Sequence, residues 1–267
     1  MASVVRRPVI VANRIDPVYL NSTRWDLLLV FGPEKGNPET QTGPNRQQDP
    51  PNPLFLQEHS QTKVDVAAEY VLDVGIPSKV LQVYADRTKE LRESASKADQ
   101  PSVEALASNP ARAHPGYIPK TSQLLEVSDD LIDLINELDG LKEEDVLVDA
   151  SGPVLQLNLL SFKKSQEDKD RYHKYGQSFA SVATSYGGEA KLVGLVVETD
   201  SREKPSKWDE IALASYHSIR HFAAMAASEE YQSINRDYRL PSIDDTTIIC
   251  TQEVDLNRLQ SKSKAHL

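Results

Sequence analysis

The stretch from Pro153 to Val254 constrains this chain most, because its apolar runs switch between strand and helix period in a fixed order. Pro153 opens Val154-Leu155-Gln156-Leu157-Asn158-Leu159-Leu160-Ser161-Phe162, a run of strand length and hydrophobicity. A charged segment then leads into a predicted helix over Asp168–Tyr186. Tyr172, Tyr175, Phe179, Val182, Ala183 and Tyr186 recur there at spacings of three and four and so share one face. Gly187-Gly188 ends the helix, since a helix C-terminus favours a residue tolerant of positive φ. Lys191–Val197 reads as a second strand and, after a charged turn from Asp200 to Lys207, Trp208–Tyr216 as a third. Ser218 is placed to cap a second helix that turns Ile219, Phe222, Ala223 and Ala226 inward, and Ser228 to cap a further stretch, Glu229–Tyr238. Thr246–Val254 is the last strand. This βαββαβ order implies an α+β, ferredoxin-like unit: four antiparallel strands with both helices on one face.

The Tyr186-Gly187-Gly188 joint and the later Ser228-Glu229-Glu230-Tyr231 resemble the dimeric α+β barrel superfamily, in particular its EthD-like and antibiotic-monooxygenase-like members. The resemblance covers roughly the last hundred residues. It implies a half-barrel that a second subunit completes, and a range of activities: cofactor-free oxygenases, isomerases, cyclases, decarboxylases and haem-degrading enzymes. Haem-degrading members use an asparagine on the first strand, a tryptophan ending the third and a histidine on the following helix as iron ligand. Asn158 matches the first, but His217 and Tyr231 stand at the other two positions. The comparison therefore implies no haem, and no cofactor of any kind is expected.

Ahead of this unit, residues 1–150 form a separate N-terminal half. Pro8–Ala12 suggests a short edge strand, and Arg24–Phe31 a strand apolar enough to be buried on both faces. Gly32 to Pro53 holds six prolines and excludes regular structure, so a long loop over 32–53 is expected. Val64–Val74 reads as extended. Ser78 is placed to cap a helix to about Ser94, with Val80, Leu81, Tyr84, Thr88 and Leu91 on one side. Lys97–Ser122 carries four prolines and reads as irregular, and Ser122–Leu138 as a helix with a leucine-rich stripe. Leu141–Gly152 connects to the unit of residues 151–257, and 258–267 is a polar tail. The chain's two tryptophans sit in Arg24-Trp25-Asp26 and Lys207-Trp208-Asp209, each ahead of an apolar strand. This echo is compatible with a tandem, pseudo-dimeric pair of half-barrels in which the first half is degenerate or permuted, and equally with coincidence.

The chain of 267 residues carries a net charge of −10 with no sustained basic run, which argues against a nucleic acid or an anionic membrane as partner. Cys250 is the one cysteine, so no intrachain disulfide forms. No apolar run approaches the ~20 residues of a membrane span. The ending Ala265-His266-Leu267 resembles a degenerate peroxisomal address, leaving cytoplasm and peroxisome both open.

The chemistry-bearing residues concentrate in the second half. His217 and His221 are four apart, but no third ligand follows at useful spacing, so no metal is expected. His217 alone sits where the third strand hands over to the second helix, and an imidazole there can move a proton near neutral pH. Asn158, with Gln156 on the same face, is a polar residue in an apolar strand and needs hydrogen-bond partners. Tyr172, Tyr175, Tyr186, Tyr216 and Tyr231 offer phenols, while Arg236 and Arg239 offer clamps for a carboxylate or enolate. The expected catalytic set is His217, Tyr231 and Asn158, meeting in an apolar cavity. Tyr172, Tyr216, Phe179, Phe222 and Arg239 would hold a small-molecule substrate, with Leu160 and Phe162 completing the walls. The expectation is a cofactor-independent isomerase, cyclase or lyase acting by proton transfer on a small hydrophobic oxygenated metabolite of polyketide or aromatic type. The alternatives are a cofactor-free monooxygenase and a non-catalytic binding or assembly protein. The working unit is a homodimer or an intramolecular pseudo-dimer.

Overall fold

The computed structural model describes residues 1–10, 12, 14–30, 66–108, 125–141, 152–197 and 206–254. The 32–53 loop, the 258–267 tail with its final tripeptide, and His59, His114 and His266 lie outside them. The elements are β1 Ala2–Ile10, α1 Pro17–Ser22, β2 Leu27–Leu29, β3 Val74–Gly75, α2 Ser78–Ala95, α3 Val103–Ala107 and α4 Asp129–Asp139. Then follow β4 Val154–Phe162, α5 Gln166–Ser185, β5 Gly188–Val196, β6 Glu210–Tyr216, α6 Ile219–Ala227, α7 Glu229–Ile234, a π-helical turn Asn235–Arg239, α8 Leu240–Ser242 and β7 Ile243–Glu253.

All seven strands form one antiparallel sheet in the order β2-β1-β7-β4-β6-β5-β3. The central four strands are those expected between Pro153 and Val254. The described residues of the N-terminal half build no second sheet; they extend this one, β1 and β2 at one edge and β3 at the other. The strand expected at Pro8–Ala12 is instead β1, which runs inside the sheet between β2 and β7. Pro8 sits at a register shift of that pairing, where a missing N–H is tolerated. The apolar strand at Arg24–Phe31 is not buried on both faces. It shortens to three edge residues, with Leu27 and Leu29 exposed, because a strand with one neighbour and no layer above it cannot be covered.

The sheet is curled. Lys191 on β5 reaches Glu253 on β7 at 2.6 Å although β6 and β4 lie between, a separation of about 14 Å in a flat sheet. A register shift between Ala190 and Leu192 turns Lys191 into the concave side. There α2 lies across the curl: Lys191 Nζ also bonds Thr88 Oγ1 at 2.7 Å and stands 4.1 Å over the Tyr84 ring, while Tyr84 donates to Glu253 at 2.8 Å. Around this polar clasp, Ile15, Leu20, Tyr70, Ile76 and Val80 pack against Leu159, Leu192, Trp208 and Leu213. On α2 itself Pro77, not Ser78, precedes the first turn and makes no side-chain cap, and Leu81 is exposed rather than on the packed side.

The other face carries α4, α5, α6 and α7. The stripe expected on α5, from Tyr172 to Tyr186, packs into this core as a whole. So do Leu131, Leu134, Ile135 and Leu138 of α4. Residues 125–128, expected to be helical, lie ahead of α4 without regular structure; Ser128 caps it from outside by accepting from Leu131 N. The capping roles expected of Ser218 and Ser228 are present, each accepting an N–H three residues on. Gly187 holds φ +65 at the end of α5, the conformation that only glycine adopts without strain.

Candidate functional site

Strand alternation fixes what β4 shows to each layer. Leu157 and Leu159 join the concave-side core, and Val154 joins the helix-side core. Gln156 and Asn158 therefore face the helices with Val154. Gln156 pairs with Ala214 and Cys250, both members of the helix-side core, and is 1% exposed. Neither its Nε2 nor its Oε1 finds a partner among the described residues. A buried amide without partners is destabilising by about 1–3 kcal/mol, which singles out Gln156 on this face. Asn158, one step along the same face, donates from Nδ2 to the Gln156 carbonyl at 2.8 Å and to the Ala212 carbonyl at 3.4 Å. Although it lies in the middle of a seven-stranded sheet it is only half-buried, as is Ala212 beside it, so the helix layer leaves the sheet open here.

Glu210 completes this end of the face. It pairs with Leu160 and Leu195, which sets it diagonally beside Asn158. Burial, reinforced by the neighbouring Asp209 charge, pushes its carboxyl up to about 7. Asp209 is otherwise engaged, accepting from Phe162 N at 2.7 Å and pairing with Lys164 at 2.8 Å. Above the strands runs a file of rings: Phe162 on Tyr172 at 4.4 Å, Tyr172 on Tyr175 at 5.5 Å, Tyr175 on Phe179 at 5.5 Å, and Phe179 edge-on to Tyr231 at 6.3 Å. The π-helical turn brings Arg239 to the same place, 2% exposed, with Nη1 donating to Asn235 Oδ1 at 3.3 Å. Such turns commonly sit at functional sites because the extra residue re-aims a side chain.

The charges divide the labour. Burial raises Tyr172, and the Glu210 carboxylate raises it further, against the Arg239 guanidinium. Burial also raises Tyr175 and Tyr231, with Arg239 opposing in both. The phenols are thus held protonated and act as donors. Glu210 changes charge near neutrality, so within this group it is the residue suited to take and return a proton.

The structure brings together Tyr172, Phe179, Tyr231 and Arg239 of the expected site, and Asn158 lies on the helix-facing side of the sheet. It does not bring His217 to them. Asn158 pairs with Ala212, and His217 lies five residues farther along β6, about 17 Å away. There His217 Nε2 meets Ser94 Oγ at 2.9 Å, and its ring stands 5.2 Å from His221, which bonds Ser218 Oγ at 2.9 Å. Burial lowers both imidazoles, and His217 lowers His221 further. Tyr216 and Phe222 pack on each other at 5.2 Å, each 2% exposed in the core, and serve as filling at that end. Sequence reasoning missed Glu210, which it placed within the strand Trp208–Tyr216 without singling it out, and the signal of the π turn. A cleft of about 250 Å³ lies elsewhere, between α3, Tyr186 and the α6–α7 junction. Its lining of Pro101, Ala105, Leu106, Ala224 and Ala227 with two serines and the Tyr186 phenol offers no carboxyl, imidazole or cation, so the polar end of the sheet remains the better candidate. Among the described residues no three His, Cys, Asp or Glu side chains gather as a metal would require, and no helix is long and apolar enough to cross a membrane.

No protein family and no curated protein matches the chain. Two solved structures resemble part of it. A crystal structure of a methylated RPA0582 protein is 20% identical over 39% of this chain and 82% of its own, with a TM-score of 0.35. The RPA0582 protein of Rhodopseudomonas palustris, described as of unknown function, is 18% identical over 46% of this chain and 93% of its own, with a TM-score of 0.36.

Proposed function

We propose that the chain is a cofactor-independent enzyme that moves a proton on a small, hydrophobic, carbonyl-bearing metabolite, with isomerisation or cyclisation as the outcome. The βαββαβ unit, ordered β7-β4-β6-β5, fits a ferredoxin-like half-barrel of the dimeric α+β type, and α2 takes the concave face that a second half-barrel would occupy. The observation that carries the functional reading is the buried, partnerless Gln156 amide on the same open face as Asn158 and Glu210. In this reading the Glu210 carboxylate takes a proton from the carbon next to a substrate carbonyl. The C–H electron pair moves into the carbon skeleton and the carbonyl oxygen becomes an enolate oxygen. The Arg239 cation, the phenols and the amides of Asn158 and Gln156 stabilise that oxygen, and Glu210 returns the proton to the same or another carbon. His217 takes no part.

The test is deuterium exchange next to the carbonyl of 2-octanone in D2O, followed by proton NMR. The full chain should exchange it faster than buffer, and Glu210→Gln should fall to the buffer rate. Equal exchange by Glu210→Gln and wild type would remove Glu210 as the base. A second reading, a binding or assembly protein without chemistry, is favoured by the packing of Tyr216, Phe222 and Tyr231 into the core; binding of 2-octanone with no exchange would select it.

A further inference from the structure

We infer that the ligand of this site carries an unbranched apolar chain, which lies along the outer half of β5 with the carbonyl end at Glu210. The inference rests on the reading of the Glu210 end as the site, and it adds the shape of the ligand. On β5, Leu192 is buried on the concave side and Gly194 approaches Val74 and Ile76 there. Val193, Leu195 and Val197 must point to the helix side. In most of that layer apolar side chains are covered, yet these three are 40%, 61% and 41% exposed. They form a ledge about 13 Å long at strand rise.

The ledge runs into the site. Leu195 is the register partner of Glu210, and Val193 of Ala212, which in turn pairs with Asn158. A chain seated on Leu195 and Val197 thus brings its end to Glu210 and Asn158, with the Tyr172 ring and Arg239 beyond. Three side chains in a row offer far less than the roughly 800 Å² per partner of a stable protein interface. A narrow apolar strip with polar groups along one side instead matches an amphiphile. Its head is a neutral carbonyl rather than a carboxylate, because Glu210 flanks the strip at Leu195 and Asp209 at Val196.

Saturation-transfer NMR on the full chain, with 2-octanone against 2-butanone, tests this. Burying four extra methylenes on one side should tighten binding by about tenfold or more. Leu195→Ser, at an exposed position that leaves the core untouched, should erase most of that preference, while Glu210→Gln should keep it. Equal affinities for the two ketones, or a Leu195→Ser variant that still prefers 2-octanone, would overturn the inference. So would a Leu195→Ser variant that changes the sedimentation coefficient but not ketone binding, since the ledge would then be a self-association face. Chain-length-dependent binding without exchange would uphold the ledge and sink the proton-transfer reading. Exchange that ignores chain length would do the reverse.

Discussion

Replacing Glu210 by Gln should make the protein more stable above neutral pH, which is an unusual outcome for a half-buried residue and follows from its electrostatics. Its carboxyl titrates near 7 in the folded chain against an ordinary 4.5. Between those values the folded state binds more protons than the unfolded one, so stability falls as pH rises through the window. Above about 7 the full penalty is present, and below about 4.5 both states are protonated and it vanishes. Counted in full, such a shift is worth about 3 kcal/mol. Glu210 is only partly buried, so solvent screening reduces the figure to roughly 1–2 kcal/mol. Gln keeps the shape and cannot ionise. In a chain of this size the gain corresponds to about 3–6 °C in Tm. Differential scanning calorimetry of both proteins at pH 8 and pH 4.5 should therefore show Glu210→Gln higher by that margin at pH 8 and level at pH 4.5. A variant less stable at pH 8, or shifted equally at both pH values, would refute a desolvated carboxylate at this position.

Two further substitutions probe the frame around the site. Lys191→Met should cost about 3 kcal/mol in urea unfolding by leaving the Glu253 carboxylate inside the curl without its cation, and adding Glu253→Gln should recover most of the loss. Gly187→Ala should destabilise by about 2–4 kcal/mol, since it strains a φ of +65 and would place Cβ 2.3 Å from His217 Nδ1; in that background His217→Ala should relieve the clash but not the strain, giving a double-mutant coupling of about 1 kcal/mol or more.

Elements were legible where one local signal fixed them. The α5 stripe, its Gly187 stop and the Ser218 and Ser228 caps all lie within a few residues of what they determine. A nearer look finds one more such signal, Ser165, which accepts from Asp168 N and starts α5 two residues earlier than the apolar stripe suggests. What failed depended on distant partners. Arg6, Arg7 and Pro8 interrupt any strand pattern in β1, and only pairing with β7 and β2 makes it a strand. The leucines of β2 are as apolar as those of β4, and hydrophobicity cannot say which strand has a neighbour on both sides. The site divides in the same way. Asn158 and Gln156 were visible as polar residues in an apolar strand. Glu210 was read only as one residue of the strand Trp208–Tyr216, and its character comes mainly from burial under the helix layer, reinforced by the neighbouring Asp209 charge. His217 was read as rim by its place between a strand and a helix, but register sets it at the far end of β6.

The two faces of the sheet resolve their charged groups differently, and that contrast supports the helix side as the ligand side of the proposed function. On the concave face Lys191 has Glu253, Thr88 and the Tyr84 ring around its ammonium, and α2 closes over all of them. The ionised groups there are paired and the clasp holds the curl, although the buried Ser3 hydroxyl, on the same face beside Glu253 and Leu28, has no partner among the described residues. On the helix face Gln156 is equally buried and has no partner among the described residues, a carboxyl is pushed up to about 7, and the sheet leaves Asn158 half-buried and three apolar side chains exposed. A fold selected for stability alone would replace Gln156 with an apolar residue and Glu210 with an amide. Keeping both costs the free protein stability, which under the proposed function a bound carbonyl compound, hydrogen-bonded by Gln156 and deprotonated by Glu210, would return.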